Sequence, residues 1–112
     1  SLAGREIYEK GNVYCATKHA VNAISKGMRI DLNKHNIKVS EINPGLVETD
    51  FSKVRFKGDP KANKVYEGYK ALQAEDIAEI IEFVISRPGH VNIADVLILP
   101  QDQATSSIIN KK

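Results

Sequence analysis

Residues Asn12 to Gly45, NVYCATKHAVNAISKGMRIDLNKHNIKVSEINPG, change hydrophobic period partway along. Val13, Ala16, Ala20, Ile24, Met28 and Leu32 recur at steps of three or four, so the spacing predicts a long helix from Asn12 to Leu32 with that stripe in the core. Asn12 is placed as its N-cap. Lys34 and His35 give a positive last turn, and Asn36 can take left-handed backbone to end it. The following IKVSEI, residues 37–42, is short and rich in β-branched side chains, and Pro44-Gly45 stops it, which predicts a strand.

Outward from this helix and strand, ETDFSKVRFKGDPKANKVYEGY, residues 48–69, carries Gly58, Asp59 and Pro60 in its middle and reads as a mobile connection with a helical turn or two. A connection this long in a compact domain is more often functional than decorative. From Ala74 to Arg87, Ile77, Ile80, Ile81, Val84 and Ile85 hold one helical face while Glu75 and Asp76 load the positive N-terminal end. Pro88-Gly89 ends that helix. VNIADVLIL, residues 91–99, predicts a largely buried strand closed by Pro100, and the tail QDQATSSIINKK has little to hold it beyond Ile108 and Ile109. Alternating strand, helix and strand imply an α/β fold with a parallel sheet and right-handed crossovers. Two or so strands amount to half of a doubly wound sheet.

At 112 residues, 42% hydrophobic and 27% charged, the chain suits one packed domain. Sixteen Lys and Arg against fourteen Asp and Glu, interleaved in sign, argue against a nucleic-acid partner. The single Cys15 excludes an internal disulfide framework and fits a reducing, cytoplasmic setting; no metal-ligand cluster is visible. No apolar run reaches the roughly 18 residues of a membrane span. SLAGREIYEK has no signal-peptide layout and no initiating Met, which suggests a segment of something longer.

Tyr14 and Lys18 stand four apart on the predicted helix, so their side chains share a face. An ammonium at about 4 Å, at an effective dielectric of about 20, would favour phenolate by roughly 4 kcal/mol, against an unperturbed tyrosine pKa of ~10. Alone, the pair is weak evidence, since Tyr and Lys four apart on a helix are common by chance and read more readily as an ordinary surface pair. Cys15 is expected to be a small packing residue, His19 a neighbour of the site without ligand duty, and His35 and His90 surface residues.

Together with these two, Ser1 and the run Asn43-Pro44-Gly45-Leu46-Val47-Glu48-Thr49 resemble the short-chain dehydrogenase/reductase family in identity and spacing. EDIAEII from Glu75 and RPGHVNIADVLILP from Arg87 to Pro100 look like its NADP-dependent 3-hydroxy acid and serine dehydrogenase branch. The resemblance implies a Rossmann-type sheet of which residues 1–112 are the C-terminal half. No GxGxxG phosphate loop occurs in the sequence, so the segment alone would be inactive.

It further implies hydride transfer between NADP, with NAD left open, and a small 3-hydroxy acid or a β-hydroxy amino acid such as serine. Tyr14 would be the acid/base. Lys18 would lower the phenol's pKa and bond the nicotinamide ribose, and Ser1 would orient the substrate oxygen. Pro44, Gly45 and Val47 would bring backbone to the nicotinamide, and Thr49 would bind cofactor beside them. Phe51, Phe56, Tyr66 and Tyr69 would either form a lid over substrate or pack the connection onto the core. The helix face bearing Ala23 and Gly27 would pair subunits in a homodimer or homotetramer. The alternative is a non-catalytic dinucleotide-binding or scaffold protein that retains the fold, or an independent α/β interaction module.

Overall fold

A computed structural model describes residues 1–60 and 64–112. A 3-10 turn at Leu2–Gly4 leads to α1 (Asn12–Leu32), a second 3-10 turn at Asn33–His35, β1 (Glu41–Pro44), α2 (Phe51–Arg55), α3 (Ala74–Ile85) and β2 (Asp95–Ile98). The two strands pair in parallel, in register from Glu41 opposite Asp95 to Pro44 opposite Ile98. This is the α/β arrangement with a parallel sheet that the alternation of periods predicts.

Helix α1 has the predicted bounds, and Asn36, with φ of 58°, ends the 3-10 turn that follows it. Its N-cap, however, is Gly11, and Asn12 is already helical. The Gly11 carbonyl accepts from the Cys15 amide at 2.7 Å, while the Tyr8 ring fills the space a side chain would need: a Cβ on Gly11 would stand 2.3 Å from Tyr8 Cε2. β1 starts four residues later than predicted because the partner backbone arrives late. Before Glu41, the Asn92 side chain is the contact, accepting from Ser40 Oγ at 3.3 Å and donating to the Val39 carbonyl at 3.4 Å. The ladder begins with the Glu41 amide on the Ala94 carbonyl at 3.0 Å and ends with the Gly45 amide on Ile98 at 2.7 Å. The prolyl nitrogen of Pro44 thus costs no ladder bond.

α3 ends at Ile85, two residues short of the prediction, where Ser86 Oγ and Arg87 Nε both donate to the Phe83 carbonyl and so occupy an acceptor of the last turn. At its other end Gln73 and Asp76 form a reciprocal capping box, the Gln73 amide donating to Asp76 Oδ2 at 2.7 Å.

Two expectations about burial are corrected. The apolar stripe of α1 is not a core stripe: Val13 and Ile24 are 72% and 60% exposed, and the buried residue of this helix is Cys15. In β2, Asp95 and Leu97 are exposed while Val96 and Ile98 are half-buried, so one face of the strand is covered better than the other. Leu2, Ala3, Cys15, Ala71 and Val84 are the buried apolar side chains among the described residues.

The tail is better held than its composition suggests. Gln103 and Ile109 form an antiparallel bridge, Ser106 donates through its amide (3.1 Å) and hydroxyl (2.9 Å) to Glu6 Oε1, and the Lys112 amide reaches the Gly68 carbonyl at 2.7 Å. The connection after β1 contains α2, as expected, and residues 61–63 of it lie outside the described residues. Its ends are tied by a parallel bridge between Val47 and Leu72.

Candidate active site

Gly4 lets the first turn lie directly on α1, since a Cβ there would stand 3.1 Å from the Lys18 carbonyl oxygen. Leu2 and Ala3 are buried, which brings Ser1 beside the first turns of the helix. Cys15 is fully buried and sets the rotation of α1, leaving Tyr14 and Lys18 half-buried on either side of it. The Lys18 ammonium lies 5.4 Å from the Tyr14 ring centroid.

A cleft of about 800 Å³ opens here, and Ser1, Tyr14, Lys18, Pro44, Gly45, Val47 and Thr49 all line it. All seven residues singled out in the sequence therefore meet at one site. Ser1 Oγ accepts from the Ala3 amide at 3.1 Å, so its O–H remains to donate. The Ser1 nitrogen donates to Asn43 Oδ1 at 3.1 Å, and Asn43, 2% exposed, donates in turn to Asp95 Oδ1 at 2.9 Å. Asp95 is also paired with Arg5, so the strand pair and the segment bearing Ser1 are cross-linked by one polar network.

The loop after β1 is pinned at each residue. Gln103, 5% exposed, accepts the Leu46 amide on Oε1 at 2.9 Å and donates to the Thr105 carbonyl at 3.2 Å. A Cβ on Gly45 would fall 2.3 Å from that Oε1 and 2.9 Å from Leu99 Cδ2, so glycine is required there by packing on its far side. The Val47 carbonyl accepts from Tyr66 Oη at 2.9 Å, the Glu48 amide donates to the Leu72 carbonyl at 2.8 Å, and Thr49 Oγ1 accepts the Phe51 amide at 3.2 Å.

Two residues that the sequence reading passed over shape the site. One is Gln103, in a tail without periodicity. The other is Arg55, the last residue of α2, whose guanidinium carbon lies 4.7 Å from the Tyr14 centroid and whose Nη2 donates to Tyr8 Oη at 3.2 Å. Its signal in the sequence was only a basic residue between aromatics. Phe51 stands 6.3 Å from Tyr14 between ring centroids, and with Phe56 and Tyr66 lines the cleft. Tyr66 is held by Val47 and by Ser52, while Phe51 is half-exposed. Tyr69 is not part of the cleft lining. Its hydroxyl is buried without a partner, and burial, with Tyr66 and Glu48 nearby, pushes its pKa up to about 12.

His19 is tied to the helix, its Nδ1 donating to the Cys15 carbonyl at 2.7 Å, and it does not line the cleft. Among the described residues no group of His, Cys, Asp and Glu could hold a metal ion, and no helix is long and apolar enough to cross a membrane.

The short chain dehydrogenase family pattern matches residues 1–60. Over 108 residues the chain is 46% identical to an uncharacterised oxidoreductase of Mycobacterium tuberculosis, covering 96% of this chain and 43% of that protein. Over 113 residues it is 44% identical to an NADP-dependent 3-hydroxy acid dehydrogenase of Schizosaccharomyces pombe, covering 100% of this chain and 44% of that one. The closed form of a serine dehydrogenase complexed with NADP+ superposes with a TM-score of 0.90 at 42% identity, over 100% of this chain and 46% of its own. The chain thus spans less than half the length of these relatives. Its sequence over residues 1–60 and its fold throughout make it a member of the short chain dehydrogenase family.

Proposed function

We propose that the complete protein is an NADP-dependent oxidoreductase of a small 3-hydroxy acid or a β-hydroxy amino acid such as serine, and that this chain is the C-terminal portion of its single Rossmann-type domain. The observation that carries the reading is the convergence of Ser1, Tyr14, Lys18 and the loop from Pro44 to Thr49 on one cleft. The 3-hydroxy acid and serine dehydrogenases among its relatives support the substrate class.

In this reading the Tyr14 phenol exchanges a proton with the substrate hydroxyl, taking it during oxidation and returning it during reduction. Ser1 Oγ is already occupied as an acceptor by the Ala3 amide, so it serves the substrate oxygen as a hydrogen-bond donor. Lys18 places positive charge beside the phenol and has three donors, enough to hold a ribose hydroxyl as well. The residues present fit the nicotinamide and ribose end of a dinucleotide: a loop held rigid by Gln103, Leu72 and Ile98 offers backbone at the cleft wall, with the Thr49 hydroxyl at its end. When bound, NADP supplies the hydride acceptor. NAD fits the same residues, because the groups that distinguish the two ribose substituents lie outside this set.

The complete protein, given NADP and racemic serine or 3-hydroxybutyrate, should produce reduced cofactor, followed by its absorbance. Tyr14→Phe should lower kcat by roughly 10²- to 10⁴-fold while NADP binding is retained. A Tyr14→Phe protein with near-normal turnover would remove Tyr14 from the chemistry.

A further inference from the structure

We propose that Arg55 is the residue that binds the substrate carboxylate, a role that rests on the hydroxy-acid reading above and extends it to the group that sets substrate class. The cleft lining carries Lys10, Lys18 and Arg55 against a single acidic residue, Glu9, so its field favours an anion. In the proposed function Lys18 already serves the phenol and the ribose. Arg55 is a second cation beside that ring, its guanidinium carbon 4.7 Å from the Tyr14 centroid against 5.4 Å for the Lys18 ammonium.

The state of Arg55 is that of a group held ready for an anion. It is exposed at the cleft, with its guanidinium near two aromatic rings, Tyr14 and Phe56, that hold it in place by cation–π attraction. Among the described residues it pairs with no carboxylate. Among the described residues its one hydrogen bond goes to a neutral acceptor, Tyr8 Oη at 3.2 Å, and most of its five N–H donors have no partner there. A guanidinium matches the two oxygens of a carboxylate in a paired, planar contact that a lone ammonium cannot make.

The spacing also suits the substrate class. In a 3-hydroxy acid, and equally in serine, one carbon stands between the carbinol carbon and the carboxylate. The anion must therefore sit next to the acid/base residue, and Arg55 is packed on the ring of Tyr14. Phe51 and Phe56, on the same short segment, line the cleft beside it.

The experiment compares 3-hydroxybutyrate with its neutral methyl ester, using the complete protein and NADP. Arg55→Gln is expected to raise KM for 3-hydroxybutyrate roughly 10- to 100-fold, the loss of a charge-assisted hydrogen bond. Its KM for the ester should stay within about twofold, with kcat largely kept for both, because the change removes ground-state binding alone. Arg55→Lys, which keeps the charge and loses the planar fork, should recover part of the affinity for the acid and verifies that the fold is intact. Equal losses on acid and ester, or no rise in KM for the acid, overturn the assignment while leaving the proposed function standing. A wild-type protein that oxidises neither compound nor serine overturns both.

Discussion

Tyr69 carries a hydroxyl that is buried and has no hydrogen-bond partner, an arrangement that penalises its ionised form. With its pKa raised from 10.0 to about 12, the folded chain holds this proton more tightly than the unfolded chain does. Its contribution to stability is complete below the unfolded value and is lost as pH rises toward the folded one. Tyr69→Phe should therefore flatten the decline in stability between about pH 10 and 12, measured as urea midpoints of wild type and variant at each pH. Equal declines in the two proteins would contradict the assignment. Gln103 shows the opposite economy. Both ends of its buried amide are used, one to hold the Leu46 amide and one to hold its own tail, so the cleft wall and the C-terminal segment are a single unit. Gln103 was not legible beforehand, because side-chain hydrogen bonds leave no periodic trace in a sequence, whereas Tyr69 was expected either over the substrate or packed under the connection and lies outside the cleft lining.

Helix α1 was legible almost in full, since its apolar period, its positive last turn and Asn36 are local signals that act through neighbouring backbone. Its N-cap was misplaced by one residue because the cap is decided by the ring of Tyr8, three residues upstream, which crowds any side chain at Gly11. Gly11→Ala should cost about 1–3 kcal/mol, the range for forcing extra volume into a packed position, read as a fall in the urea midpoint. Because Tyr8 Oη is the partner of Arg55, the displaced ring should also loosen that arginine. A Gly11→Ala protein as stable as wild type would show that the Tyr8 ring moves aside freely. The strands were legible in existence and order, but their ends depend on where the partner backbone comes within hydrogen-bond reach, which neither strand encodes alone.

At the scale of the whole molecule, α1, α3 and β2 present Val13, Ile24, Met28, Ile81, Ile85 and Leu97 to solvent, more apolar surface than isolated exposed residues would account for. Elements of a doubly wound sheet normally bury such faces on a further layer or on a second copy. The complete protein should therefore bind little of a hydrophobic dye, whereas residues 1–112 alone should bind it strongly; if a second copy rather than a further layer covers α1, as we propose, the complete protein will also sediment as a homodimer or homotetramer. A monomeric complete protein would leave the face of α1 without its proposed partner. A Cβ on Gly27 of α1 would meet nothing within 4 Å, which leaves room for a close neighbour.

The sequence by itself determined the order of helix and strand and the joint placement of Tyr14 and Lys18, because helical spacing puts residues four apart on one face whatever surrounds them. Only the tertiary structure decided that Arg55 lies against Tyr14 and that Gln103 braces the loop at Gly45. These contacts join segments far apart in the chain, and ring stacking and amide hydrogen bonds depend on where the folded backbone brings two side chains rather than on any repeating pattern between them.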